Sequence, residues 1–323
     1  MATQQFKPRT NGRGIEWTDV TMNPVGGCRH GCEWVMPNGE VAHCYARDVA
    51  ERGPAAPHYP GGFEAHYWRE GVLKEMTAAG PPQLVFIDSM SDLMGHWVPE
   101  AQTRTVLQAM AAAPHNTFQM LTKNPRRYGR FAGELPGNAW VGASSAPDRF
   151  MGRALSRHQQ ERYMHVALEA LTAVREATGN IVWMSVEPLS WNVAPILAQY
   201  PALDWVIIGA ASSGRKYFQP AAAHVDALLD VLDARGAAVF YKGNIKPLFE
   251  TWDFGTPGKN RWREDFPTRA VADVPGPAPA VVRRQRLALR YGWTPNAVLP
   301  VEPTDAPAPQ GETAVVSQPG LFG

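Results

Sequence analysis

A chain of 323 residues with 45% hydrophobic and 19% charged residues can bury a sizeable core, which excludes a wholly disordered polymer. Its formal net charge of +1 gives none of the electrostatic footprint of a protein that coats nucleic acid, and leaves only a local basic patch for such a role. No apolar run approaches the roughly 20 residues that span a bilayer, and the start MATQQFKPRT lacks the apolar stretch of a signal peptide, so the reading is a cytoplasmic protein with no membrane partner.

In chain order, residues 1–14 read as an N-terminal extension and 15–255 as the folded domain. A first strand is expected around Trp17 to Met22, followed by the cysteine segment. Six clearer β-rich blocks come after it: Leu84 to Asp88, Thr117 to Leu121, Ala139 to Gly142, Ile181 to Val186, Asp204 to Gly209 and Ala238 to Tyr241. Helical periodicity fills the spaces at Glu100 to Ala112, Leu155 to Thr178 and Ala221 to Arg235, with shorter candidates at Asn124 to Ala132 and Val193 to Gln199. Alternating strands and helices, with strands that read as continuous apolar runs, predict an α/β fold with a parallel sheet buried on both faces. A partial or closed barrel is favoured, and a doubly wound open sheet has the same alternation. Residues 256–294 read as a C-terminal extension with one helix at Arg283 to Tyr291, and 295–323 as a disordered Pro-rich tail that is dispensable for the site.

In a barrel the chemistry sits beyond the carboxyl ends of the strands. There the sequence places Ser89, Ser91 and Asp92, then Thr122 and Lys123, Ser144 and Ser145, Glu187, Ser212 and Ser213, and Lys242. Polar groups after six strands point to one shared pocket, although strand ends are wet and polar in any fold, and Ser or Asp after a strand often caps a helix. Lys123 and Glu187 are the least bland, because each is charged and directly follows an apolar strand.

The three cysteines of the chain fall together, in NPVGGCRHGCEWVMPNGEVAHCYAR. Three residues separate Cys28 from Cys32, and eleven separate Cys32 from Cys44. An odd, clustered trio in a cytosolic protein suits a metal site better than disulfides. Three thiolates on a four-iron cluster leave one iron open for a ligand. A zinc site with His30 or His43 as fourth ligand is the other chemistry these residues permit.

The run IEWTDVTMNPVGGCRHGC...HCYAR, with FIDSMSDLMGHWVPE, HNTFQMLTKNPRRY, NAWVGAS, SVEPL and DWVIIGAASSG, closely resembles the phage-associated three-cysteine-motif family, a group of unknown function related to radical S-adenosylmethionine (SAM) proteins. The resemblance implies a partial (β/α) barrel of six to seven parallel strands, with a [4Fe-4S] cluster held by Cys28, Cys32 and Cys44 in the loop after the first strand. It also implies SAM on the open iron, reductive cleavage to a 5′-deoxyadenosyl radical, and an electron donor such as flavodoxin or ferredoxin, with a partner protein as a further expectation. Ser89, Ser91 and Asp92 then fall to the methionine or ribose end of SAM, Lys123 to its carboxylate, Glu187 to its ammonium or ribose, and His43 to the adenine. Typical radical SAM proteins have two residues before the third cysteine, so Glu33 to Val41 is a nine-residue insert. Pro37, Asn38 and Gly39 give it a turn signal that returns Cys44 to the site, and its apolar Trp34, Val35 and Met36 are expected to fold over the cluster or SAM. The basic group Lys123, Arg126, Arg127 and Arg130 makes a nucleotide or nucleic acid one candidate substrate, against the plainer reading of a solvated turn. The alternatives to an enzyme are a zinc-binding barrel and a non-catalytic cluster protein that binds nucleic acid or a partner.

Overall fold

The computed structural model describes residues 14–213, 216–251 and 262–267. The expected Arg283 to Tyr291 helix and the Pro-rich tail lie outside the described residues. Seven strands form the central sheet: β1 (Val20–Met22), β2 (Leu84–Ile87), β3 (Thr117–Thr122), β4 (Ala139–Ser144), β5 (Val182–Val186), β6 (Trp205–Ile208) and β7 (Ala238–Tyr241). They lie side by side in chain order and every pairing is parallel.

That order settles what periodicity left open. A doubly wound sheet reverses its strand order at a switch point, whereas a barrel advances one strand at a time. With right-handed crossovers throughout, an unreversed order puts every helix on the same face. The helices are α1 (Tyr45–Glu51), α2 (Gly71–Met76), α3 (Glu100–Ala111), α4 (Arg157–Thr178), α5 (Ala194–Leu197), α6 (Ala222–Asp233) and α7 (Lys246–Thr251). Val106 and Leu107 of α3, Leu168 and Leu171 of α4, and Leu228 and Leu229 of α6 share one core with Val85, Phe118, Val141, Val182 and Val206 of the sheet. The strand residues between these face the other way and form a separate core. β1 and β7 are not paired with each other, so the fold is a partial (β/α) barrel.

The inner face is unusually aromatic. Trp17, Phe86, Trp140, Trp183, Trp205, Phe240 and Phe266 pack together there, with Trp17 and Trp183 centroids 5.2 Å apart and Trp183 and Trp205 also 5.2 Å apart. Gly142 makes this floor possible: a Cβ there would lie 2.3 Å from Trp183 Cε2. Residues 262–267 close the floor, since Trp205 Nε1 donates to the Asp265 carbonyl (2.9 Å) and Phe266 packs tilted against Trp205 with centroids 5.4 Å apart. The same segment runs antiparallel along the open edge of β7, with Asp265 N donating to Val239 O (2.9 Å) and Tyr241 N to Arg263 O (2.8 Å).

Two expected helices are shorter than their periodicity suggests. Asn124 to Ala132 resolves into 3-10 turns at Pro125–Arg130 and Ala132–Glu134, because Pro125 starts the segment and Gly129 and Gly133 interrupt it. Val193 to Gln199 reduces to the four residues of α5. Trp17 lies ahead of β1 and serves the floor instead of the strand.

Candidate functional site

Side chains on the inner face follow a period of two, so the residues that continue it past the aromatic floor point into the mouth of the barrel. Leu121 is followed by Lys123, Trp183 by Ser185 and Glu187, and Phe240 by Lys242. Leu121, Lys123, Ser185, Glu187 and Lys242 line a cavity of about 620 Å³ together with Ser89, Ser91, Asp92, His43 and all three cysteines. The three cysteines, His43, Ser89, Ser91, Asp92, Lys123 and Glu187 therefore reach one chamber, whose floor is Trp17, Phe86 and Leu121.

The loop after β1 carries the cysteines. Gly27 sits at φ +85°, and a Cβ there would fall 1.8 Å from the Ala65 carbonyl oxygen, so only glycine lets the backbone approach so closely. Cys28 N donates to Phe63 O (2.8 Å), and Gly27 N to Met90 O (3.2 Å). A small core of Ala46, Ala50, Tyr59, Phe63 and Met90 packs against Cys28 and Cys44.

The insert forms a β-hairpin. Glu33–Val35 pairs with Val41–His43, the turn closes with Gly39 N donating to Met36 O (2.8 Å), and Arg149 extends the sheet beside Glu33. Cys32 and Cys44 stand at its base, where Cys44 N donates to Cys32 O (3.2 Å). Closing the hairpin is thus what returns Cys44 to Cys32 across eleven residues. Of its three apolar residues, Trp34 and Met36 line the cavity, but Val35 is 52% exposed, because alternation along a strand sends neighbours to opposite faces.

All three cysteines are free. Burial raises the Cys28 thiol well above its ordinary range, with the neighbouring Cys32 and Asp92 adding to the effect. Cys32 is pushed up from 9.0 to about 12, mainly by burial, with Lys123 opposing. Cys44 is raised by burial and partly offset by the N–H groups of Ala46 and Arg47 at the start of α1. Such thiols need a strong Lewis acid to become thiolates. Among the described residues no group of three or more His, Cys, Asp or Glu side chains is placed to hold one metal ion. His30 Nε2 is bound to Asp92 Oδ2 (2.7 Å), with the ring stacked on Phe150, and His43 Nδ1 lies 3.2 Å from Glu33 Oε1. Each candidate zinc ligand thus has one ring nitrogen on a carboxylate, as metal-bound histidines commonly do, and His30 Nδ1 is buried without a hydrogen-bond partner among the described residues. Three free thiols that line one chamber fit the all-thiolate donor set of an iron–sulfur cluster.

Asp92, expected at SAM, is filled by the chain itself. Its Oδ2 accepts from Thr122 Oγ1 (2.9 Å) and Lys123 N (2.9 Å) besides bonding His30, and its Oδ1 accepts from Met94 N (2.9 Å). Burial opposes its charge, but His30 and these donors hold the carboxyl below its usual range. The residue ties the cysteine loop to the ends of β2 and β3. Ser91 Oγ donates to Gly27 O (2.8 Å), which does the same for the loop's start. Ser89 Oγ bonds Asn23 Oδ1 (3.2 Å), and the Ser89 carbonyl accepts from Tyr45 OH (2.6 Å). Lys123 Nζ donates to Ser145 O (3.2 Å) and lies 5.6 Å from the Trp34 ring centre. Glu187 is ion-paired with Lys242 across the ends of β5 and β7.

The arginine group after β3 divides. Arg127 turns inward and donates to the carbonyls of Gly95 and Val98, Arg130 is exposed and pairs with Glu100 (2.7 Å), and Arg126 is exposed as well. A 3-10 turn sends successive residues to different sides, so four basic residues in sequence do not make a patch. Sequence reasoning missed Asp88, Tyr45 and the aromatic floor. In sequence Asp88 closes an apolar block and the tryptophans belong to continuous apolar runs, where their inward alternation is the available signal.

No helix among the described residues is long and apolar enough to cross a membrane. No curated protein matches the chain. Among solved structures, spore photoproduct lyase complexed with dinucleoside spore photoproduct is similar over 74% of this chain and 80% of that one, at 11% identity and a TM-score of 0.48. A mutant spore photoproduct lyase with bound AdoMet and dinucleoside spore photoproduct is similar over 71% and 64%, at 9% identity and a TM-score of 0.40. These likenesses are distant, and the reading of the site rests on the chain's own residues. Residues 12–247 match a family model, which places the protein in the family described as "Protein of unknown function (DUF5131)".

Proposed function

We propose that the protein is an iron–sulfur enzyme of the radical SAM kind, with Cys28, Cys32 and Cys44 as ligands of a [4Fe-4S] cluster. The observation that carries this reading is that three free thiols line the same chamber as the polar ends of the barrel strands. A chamber of about 620 Å³ falls in the range of small-molecule sites, and its aromatic floor keeps water from entering below. Once bound and reduced, the cluster would supply the one electron that breaks the carbon–sulfur bond of SAM, giving methionine and a 5′-deoxyadenosyl radical. The chain's residues bind, orient and enclose. Lys123 meets the SAM carboxylate, while Ser89 and His43 flank the nucleoside. Asp92 and Ser91 act at one remove, by fixing the cysteine loop. Glu187 and Lys242 offer an acceptor and a donor side by side, which suits the polar edge of a nucleobase or the ribose of SAM. A nucleotide or nucleic acid is the substrate class we favour, with flavodoxin or ferredoxin as electron donor and phage biology as the setting that the sequence resemblance implies.

The test is anaerobic reconstitution with iron and sulfide, followed by electron paramagnetic resonance and by chromatography for 5′-deoxyadenosine after reduction with SAM present. Stoichiometric four-iron loading and SAM cleavage are expected. A protein that takes zinc and no cluster, or a cluster-loaded protein that leaves SAM intact and does not bind it, would refute the reading.

A further inference from the structure

A second, smaller hollow of about 50 Å³ adjoins the chamber, and Lys123 lines both. Its other walls include Arg126 from the turn after β3 and Arg162, Tyr163 and Val166 from α4. The pairing is a product of tertiary structure: α4 packs against the Pro125–Arg130 turn and so brings Arg162 to Arg126. Both arginines are exposed, and no Asp or Glu is among the described residues that line the hollow. Two guanidiniums and a lysine around one concave spot make a local excess of positive charge in a chain whose formal net charge is only +1.

The neighbours of Arg126 are spent on the fold. Asn124 Nδ2 donates to Met94 O (2.8 Å), Arg127 donates to the carbonyls of Gly95 and Val98, and Tyr128 OH donates to Gly142 O (2.9 Å). Arg126, between them, has no side-chain hydrogen bond or ion pair among the described residues. A cation left over on a firmly held turn costs little to order when a ligand arrives.

We propose that this hollow is a phosphate subsite, in which Arg126 and Arg162 hold a phosphate of a nucleotide, free or within a strand, whose nucleoside part enters the chamber past Lys123. Size selects a group over a whole molecule, because about 50 Å³ holds only a few waters whereas small-molecule sites begin near roughly 300 Å³. Guanidinium forks match phosphate oxygens, and the large chamber next door has the room for a nucleoside that the hollow lacks.

The proposal rests on the chamber being a nucleotide site, but its test needs neither iron nor SAM. A base reaches such a chamber only outside the duplex stack, so the probe is a short fluorescein-labelled DNA single strand of mixed sequence. It is titrated with the full chain at several salt concentrations and followed by anisotropy. Arg126→Gln and Arg162→Gln should each weaken binding roughly fivefold and lower the slope of log affinity against log salt by about 0.7, and the double variant should lose more than either. Arg130→Gln, from the same run but paired with Glu100, should stay within about twofold of the parent. Melting curves check the fold; Arg126→Gln, which removes no side-chain contact, decides the matter if Arg162→Gln is destabilised. Calorimetry with nucleoside monophosphates and the matching nucleosides separates the two sources of phosphate. A preference for the monophosphate that the double variant loses supports a free nucleotide, and no preference beside arginine-dependent strand binding supports a phosphodiester. A parent that binds neither the strand nor the monophosphate in preference to the nucleoside, Arg126 and Arg162 variants that keep the parent's affinity and slope, or an Arg130 variant that loses as much as they do would overturn the proposal. Arginine-dependent binding in a protein that leaves SAM intact once loaded with its cluster would instead sink the radical SAM reading and leave the phosphate subsite in place.

Discussion

Gly142→Ala is the sharpest test of how the floor is built. The added Cβ would lie 2.3 Å from Trp183 Cε2, 2.6 Å from its Nε1 and 2.7 Å from its Cδ2, all far inside van der Waals contact. These atoms belong to a rigid ring that is fully buried and wedged between Trp17 and Trp205, so it cannot swing aside. Its Nε1–H bond to the Trp140 carbonyl (3.3 Å) would be lost with any tilt. Overpacking of this kind costs typically about 1–3 kcal/mol, and the broken hydrogen bond adds roughly 1 kcal/mol. For a domain of this size about 3 kcal/mol corresponds to a fall of roughly 6–12 °C in Tm. Circular dichroism would give the melting point, and tryptophan fluorescence should shift as the floor loosens. Trp183→Phe in the Gly142→Ala background should recover part of the loss, so that the double variant is more stable than the sum of the singles. A Gly142→Ala protein that melts within a degree or so of the parent would refute the account of the floor.

Replacing any one of Cys28, Cys32 and Cys44 by Ala should remove most of the iron bound on anaerobic reconstitution; full iron and sulfide in the Cys44 variant would sink the three-ligand assignment. Trp34→Ala, which strips the hairpin's inward aromatic wall, should take up iron normally without oxygen but lose it faster in air, and unchanged loss would show that the hairpin shields nothing. Because Cys32 is raised from 9.0 to about 12, at a given pH below both values the folded apo chain holds roughly a thousandfold less thiolate there than an ordinary cysteine. Its alkylation should therefore be slow until the chain is denatured, and metal uptake should release protons to the medium, which a pH indicator would follow; rapid alkylation of folded Cys32 near pH 7 would contradict its burial.

Much of the site was readable in the residues. All six clear strand blocks and the early one before the cysteines became the seven strands, since a parallel strand buried on both faces must be apolar throughout, and that requirement writes itself into short sequence runs. The cysteines and the polar strand ends were likewise legible, because a barrel brings every strand's carboxyl end to the same side. What tertiary structure decided were the questions of partner and direction. Strand order separated a barrel from a doubly wound sheet, since order depends on which distant strands pair and not on periodicity. Asp92 and Lys123 look alike as charged residues after strands, yet donors from three segments fill Asp92 while Lys123 keeps its ammonium at the chamber wall. Asp88 shows the limit most clearly: its Oδ2 is buried without a hydrogen-bond partner among the described residues, and nothing local marks this, because a bare carboxyl oxygen is defined by what the rest of the fold does not place beside it.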